Sequence, residues 1–287
     1  MTYDSAEALR QALEHRLRER SDSTGLPIDR LRRRVLLERI VARLEHAEPG
    51  RWVLKGGMAL EVRLAERARL TKDIDLALRE DATDAELIGD RLASALTSDP
   101  HGDRFVFVST EPQLLQADGG GHVTWRVRVG CKLSGRPFGS VQLDISPRTH
   151  ELNATDRVPL PNSLDFANVP DTIVEIIELN RHAAEKFHGM TRDFGGRENS
   201  RVRDLVDLVI LIDNDLLDLA RLRASVADVW NERNQSVPPP ELPALAETWP
   251  KRYERLATEH ELDTTDFVTA EQKVRLLWRQ QISYPEG

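Results

Sequence analysis

The chain has 287 residues, 40% of them apolar and 31% charged, with a formal net charge of −8 at pH 7; this is enough for a core of one or two domains and excludes a protein that coats nucleic acid through its overall charge. No run approaches the roughly 20 apolar residues of a membrane span, and the polar, acidic stretch 1–12 reads as neither signal nor transit peptide, so no membrane partner is expected. Cys131 is the only cysteine, which rules out an internal disulfide and in practice a cysteine-based zinc site, and points to the reducing cytoplasm.

In chain order, 5–20 and 28–45 read as helices. In the second, Leu31, Val35, Leu36, Ile40, Val41 and Leu44 follow a 3.6-residue period. Turn residues 21–27 separate the two, and Pro49-Gly50 closes the pair. Arg10, Arg16, Arg18, Arg20, Arg30, Arg32, Arg33 and Arg34 crowd this segment. Each alone suits a solvated helix face, while as a cluster on an acidic chain they hint at a phosphate-bearing partner.

Next come a short apolar strand, Trp52 to Lys55, a Gly56-Gly57 turn, and a helix from Met58 to Arg67. Asp73 to Leu78 alternates strictly and reads as a strand. Further strands are expected at 104–109, 123–133 and 140–145, bounded by turns at Gly119–Gly121 and Gly135–Gly139. From about Pro170 the pattern is helical, with candidates at 171–189, 200–213, 216–231 and 270–282, and a stiff connector at Pro238-Pro239-Pro240 and Pro243. The expected division is an N-terminal helical segment 1–50, an α/β core 51–165 and a helical lobe 166–287.

The chemistry concentrates in the core. Asp73 and Asp75 lie two apart on a strand, so their side chains share a face. Two carboxylates on one face repel unless a cation sits between them, and such oxygen ligands suit Mg²⁺, with Mn²⁺ as a substitute. Gly56 and Gly57 lack a Cβ and let a polyphosphate approach the backbone at the positive end of the following helix, with Lys55 as a neighbouring cation. Asp144 falls on the polar face of its own strand; if that strand lies beside Asp73 and Asp75, three carboxylates converge as metal ligands. Thr71, two before Asp73, would point to the same face and touch the nucleotide, or it is a hydroxyl at a strand start. A phosphate on Thr71 would place a dianion among the carboxylates.

The runs Leu54-Lys55-Gly56-Gly57-Met58-Ala59-Leu60 and Arg69-Leu70-Thr71-Lys72-Asp73-Ile74-Asp75-Leu76 resemble the first motif of the AbiEii/AbiGii toxin family. That family belongs to the DNA polymerase β-like nucleotidyltransferases and includes the MenT toxins of mycobacteria. The likeness continues in Ala184-Glu185-Lys186-Phe187-His188 and in Ser200 to Leu208. It implies an α+β (α/β) fold of two lobes, with a small mixed sheet flanked by helices and a largely helical C-terminal lobe. It also implies a toxin that moves a nucleoside monophosphate from an NTP to RNA, foremost the acceptor end of tRNA, with a cognate antitoxin as partner; oligomeric state is left open. By the same resemblance Asp73 and Asp75 hold the metal, Lys186 touches the triphosphate and Asp204 completes the site. The wider superfamily has Gly-Ser where this chain has Gly-Gly, so phosphate contact there falls to backbone N–H groups.

From the pattern alone, Lys186 sits at the edge of an apolar stripe with its head in water. Asp204 and Asp207 share a face of a nearly all-apolar helix, so they must either pair with Arg201, Arg203 or another cation, or line a site. His182 and His188 read as surface or helix-edge residues. The five tryptophans read as core, with Trp249 as an outside candidate for stacking on a base. Two rivals keep the fold: transfer to a small molecule or a protein hydroxyl, and an inactive binding module.

Overall fold

A computed structural model describes residues 3–69, 71, 73–80, 84–115, 123–149, 152, 154–193, 195–234 and 236–282. The chain divides into two compact units, Met1–Arg63 with Leu70–Ile176, and Leu64–Arg69 with Ile177–Gly287. The Gly119–Gly121 turn lies outside the described residues.

The first unit opens with helices α1 (Ala6–Thr24) and α2 (Ile28–Ala47). Ser5 caps α1 by accepting a hydrogen bond from the Ala8 amide, and Gly25, at φ 71°, ends it in the left-handed conformation that favours glycine. Among the described residues eight strands then form one mixed sheet: β1 (Trp52–Lys55), β2 (Asp73–Leu78), β3 (Phe105–Ser109), β4 (Gln113–Leu115), β5 (Thr124–Leu133), β6 (Arg136–Pro147), β7 (Thr155–Pro159) and β8 (Ile173–Ile177). Their order is β3-β5-β6-β2-β1-β8-β7, with β4 also on β5. Strand β2 runs antiparallel to β1 and parallel to β6. Helix α3 (Gly56–Leu64) follows β1, and α4 (Ala85–Thr97) follows β2.

Helices cover one side of the β3–β5–β6 region: α2 packs on β6, with Leu36 against Gly139, and α4 packs on β3. Alternate residues Val127, Val129, Val141, Leu143 and Ile145 point to that side and are buried. Each such side chain removed from water contributes about 1.5–3 kcal/mol. A buried ion cluster fastens the layers. Asp103 accepts from Arg39 Nε at 2.8 Å and from Arg43 at 2.5 Å, and Arg43 also donates to the Leu96 and Phe105 carbonyls. Burial opposes the Asp103 charge, but the two guanidiniums outweigh it and hold the carboxyl below its ordinary value.

Much of the N-terminal arginine cluster is structural. Arg10 donates to the carbonyls of Leu133, Arg136 and Pro137 and so clasps the β5–β6 turn. Arg16 lies 4.1 Å over the Phe166 ring, Arg32 pairs with Glu14 and Asp29, and Arg34 pairs with Glu38. The phosphate hint drawn from the cluster as a whole therefore loses half of its members to packing.

The second unit is helical: α5 (Leu179–Thr191), α6 (Val202–Asp213), α7 (Leu219–Asn234), α8 (Trp249–Glu259) and α9 (Phe267–Ile282). Helix α6 is the centre, packed against α5, α8 and α9. Phe187, Trp230 and Trp278 meet with ring centroids 5.1 and 5.6 Å apart. All five tryptophans are buried, and Trp249 donates to the Asn199 carbonyl at 2.6 Å, so it is core and not a stacking platform. His182 and His188 are buried too, His188 edge-on to Trp230, against the surface reading.

The largest correction concerns 171–189. The helix begins only at Leu179, capped by the Glu178 carboxylate, and Ile173–Ile177 is a strand parallel to β1. Four of its five residues are β-branched, which stiffens χ1 and favours the pleated conformation; the apolar spacing mimicked a helix stripe because one periodic run joined two elements. No described helix is long and apolar enough to cross a membrane.

Candidate active site

The first unit assembles one charged row across four strands. Lys55 of β1 pairs in register with Asp75 of β2, Asp75 with Asp144 of β6, and Asp144 with Arg126 of β5. Neighbouring strands lie about 4.8 Å apart, so these four side chains leave the same face side by side. Asp73 begins the next row, paired with Gln142, which in turn faces Arg128. Ile74 and Leu76 point the other way and are buried, which fixes the register: a slip of one residue would put both aspartates into the core.

Strand adjacency thus brings Asp144 to the aspartate pair. It arrives already engaged, because Arg126 donates to both of its oxygens at 2.9 and 2.8 Å. Those bonds raise the Arg126 pKa, and the nearby charges of Asp73 and Asp75 add to the effect. Among the described residues no three His, Cys, Asp or Glu side chains are grouped to hold a metal by themselves. The hard carboxylate oxygens of Asp73 and Asp75 fit a cation such as Mg²⁺ that draws the rest of its shell from phosphate and water.

Gly56 has a specific reason to be glycine. Its φ is +56°, and a Cβ built on it would lie 1.8 Å from Asp75 Oδ2, 2.6 Å from Cγ and 2.9 Å from Cβ. The space that the missing side chain leaves is filled by the Asp75 carboxylate at the start of α3. Helix α3 begins at Gly56, two residues before the expected start, and Gly57 is one of its buried residues. The Gly-Gly pair is therefore the entry of the helix itself, with the positive end of its dipole beside Asp75.

Thr71 lies just before β2. Its hydroxyl donates to the Asp73 carbonyl at 3.1 Å and its amide to Glu61 of α3 at 3.3 Å. It braces the entry to the strand that carries the two aspartates.

In the second unit, Lys186 is buried, with its ammonium 2.6 Å from Asp207 and 3.5 Å from Asp204. A head in water is thus replaced by a buried ion network. Arg69 adds a two-pronged contact to Asp207, at 2.7 and 3.0 Å, and Arg201 lies 3.7 Å from Asp204. The two acids respond in opposite ways. Burial raises the Asp204 pKa, and Lys186 and Arg201 only partly offset it. For Asp207 burial acts in the same sense, but Lys186 and Arg69 overcome it and bring the value to about 2. Gly189 backs Asp204 as Gly56 backs Asp75: a Cβ there would lie 2.7 Å from Asp204 Oδ2.

Two partners escaped the sequence reading. Arg69 stands inside the quoted motif, and only a fold could pair it with a residue 138 positions on. Arg126 had a visible signal, since Arg126 and Arg128 alternate with buried Trp125, Val127 and Val129 on β5.

The family model described as "Nucleotidyl transferase AbiEii toxin, Type IV TA system" matches residues 36–278. No curated protein matches the chain in sequence. Among solved structures, MenT4, a nucleotidyltransferase toxin from Mycobacterium tuberculosis, is 17% identical, with 95% of this chain and 90% of that one covered at a TM-score of 0.63, which is a likeness of fold. A protein titled a nucleotidyltransferase by assignment from H. pylori (14% identical, 86% of this chain and 93% of that one, TM-score 0.43) and an antigenic nucleotidyltransferase-like protein from Paracoccidioides brasiliensis (17%, 69% and 89%, TM-score 0.37) are more distant in shape.

Proposed function

The chain belongs to the AbiEii family of nucleotidyltransferase toxins, and from that premise we propose that it transfers a nucleoside monophosphate from an NTP to RNA, foremost the acceptor end of tRNA, so that the altered RNA no longer serves translation. The observation that carries this reading is the pair Asp73 and Asp75 on one sheet face, with Asp75 seated against Gly56 at the amino end of α3. Asp73 and Asp75 would hold Mg²⁺ or Mn²⁺; the third ligand expected from the sequence, Asp144, has both oxygens engaged by Arg126 and would join them only by giving up that pair. That ion, when bound, supplies charge neutralisation on the transferring phosphoryl group and lowers the pKa of the attacking hydroxyl.

The chain's own residues do the positioning. Gly56 keeps Asp75 in place at the amino end of α3, so that a polyphosphate would reach this helix end through a cation held by that carboxylate. Lys55 and Arg126 flank the carboxylate row with positive charge. To the second unit's Lys186 we assign the neutralisation of triphosphate charge, and to Asp204 the orientation of a reactant. The 2.6 Å contact to Asp207 would hold the Lys186 ammonium in one place, so that no ordering is left for the reaction to provide. Thr71 would brace the entry to β2, and Asp207 would hold Lys186 within the second unit.

The family is one of toxin–antitoxin systems, and a cognate antitoxin is the expected partner. Incubation of the protein with each labelled NTP, Mg²⁺ and total tRNA tests the proposal. We expect label on RNA with one NTP preferred. Label confined to protein or to small molecules, or no label at all, contradicts it.

A further inference from the structure

Helices of the first unit cover one side of the β3–β5–β6 region, and on its other side several described side chains of β3 and β5 are exposed. Val106 and Val108 of the edge strand β3 are 57% and 65% exposed, side by side on this face. Beside them on β5 stand Arg128 and Lys132, both exposed, and the register sets Val108 opposite Gly130 and Val106 opposite Lys132. The row continues from Arg128 through Gln142 of β6 to Asp73. From Arg126 to Lys132 the cations span about 20 Å of strand at 3.3 Å per residue.

Charge on this face is segregated. On β3, β5 and β6 Asp144 is the one acidic side chain, and it is clasped by Arg126. Arg128 and Lys132 therefore form a basic strip leading away from the carboxylates, on a chain whose net charge is −8. A small-molecule acceptor needs no such track, and an acidic protein surface offers no reason for two bare valines next to glycine. A single-stranded polyanion with sugar and base edges fits both features: phosphates on Arg128 and Lys132, the apolar parts over Val106, Gly130 and Val108.

We propose that the open face of β3 and β5 is the track for the single-stranded end of the RNA acceptor, held by Arg128 and Lys132 over Val106 and Val108 and running toward Asp73. This rests on the reading of RNA as the acceptor. The face carries no exposed aromatic side chain on its described strands, so contact with the strand is through phosphate and shape and is tolerant of base sequence.

The experiment measures binding and transfer separately on the intact chain. Fluorescence anisotropy of a labelled single-stranded oligoribonucleotide is followed against salt for wild type, Arg128→Ala/Lys132→Ala and the charge-preserving Arg128→Lys/Lys132→Arg. The alanine pair should weaken binding tenfold or more and flatten the log–log salt slope by about 1.4, the value for two lost contacts to a single strand. The charge-preserving pair should bind nearly as wild type, and metal-NTP affinity should stay unchanged in both. Unaltered RNA affinity and slope in the alanine pair overturn the track, whatever the transfer assay gives. If the alanine pair loses RNA binding while wild-type protein labels no RNA, the track stands and the acceptor reading falls.

Discussion

Gly56→Ala should reduce nucleotide transfer by about 10²–10³-fold, the cost of losing one preorganised electrostatic group. The new methyl would sit 1.8 Å from Asp75 Oδ2. Rotating the carboxylate does not relieve the clash, because the Asp75 Cβ itself, fixed to β2, would be only 2.9 Å away. Either β2 or the start of α3 must move, and either motion shifts the β2 carboxylates relative to the amino end of α3. Alanine at φ +56° adds about 1–2 kcal/mol of backbone strain, so the thermal midpoint should drop by a few degrees with the fold retained. Steady-state transfer with calorimetry checks both parts. A variant that transfers at the wild-type rate shows that Asp75 does not need this position.

Asp207→Ala should destabilise the protein by about 3–5 kcal/mol, because it removes from a buried cluster the carboxylate that Lys186 and Arg69 share. Lys186 would keep Asp204, 3.5 Å away, and Arg69 would lose its contacts to Asp207 at 2.7 and 3.0 Å. Urea unfolding measures the loss; a change under 1 kcal/mol would mean that water replaces the carboxylate at no cost. Acid titration gives an independent view of the same cluster. The Asp207 carboxyl is held at about 2 in the fold against an ordinary 3.8, so its ionised form stabilises the native state by about 2 kcal/mol above pH 4. That contribution fades as pH falls from about 4 to 2. Asp204 has the opposite sign, since its raised pKa makes proton uptake favour the fold. Removal of Asp207 should therefore flatten the acid side of the stability profile.

The core of this arrangement was legible in the sequence because strand alternation is a local code. Asp73 and Asp75 had to share a face, and Asp144 had to be polar on its own strand, before any pairing was known. The strand order that joins Asp144 to Asp75 follows from contacts far apart in the chain, and no periodicity encodes it. The same limit hid the Arg126–Asp144 and Arg69–Asp207 pairs: a charged residue advertises a need for a partner and never its address. At Gly56 the sequence suggested room for phosphate, whereas the absent Cβ is taken up by Asp75. Where two elements shared one apolar rhythm, as over 171–189, spacing alone merged them; the β-branched run Ile173-Val174 and Ile176-Ile177 was the signal for a strand. Helix α4, strands β4 and β7, and helix α8 went unpredicted. Of these, α8 opens with a buried Trp249 followed by Pro250, a favourable first-turn residue obscured by the preceding prolines.

The most direct measurement is calorimetric titration of a non-hydrolysable NTP analogue into wild type, Asp73→Asn and Asp75→Asn, each with Mg²⁺ and with chelator. Wild-type protein should bind the analogue tightly only with the divalent ion present, and each asparagine variant should lose most of that metal-dependent increment while unfolding at an unchanged temperature. Equal, metal-dependent affinity in all three proteins would contradict the assignment of the β2 aspartates to the metal–triphosphate complex.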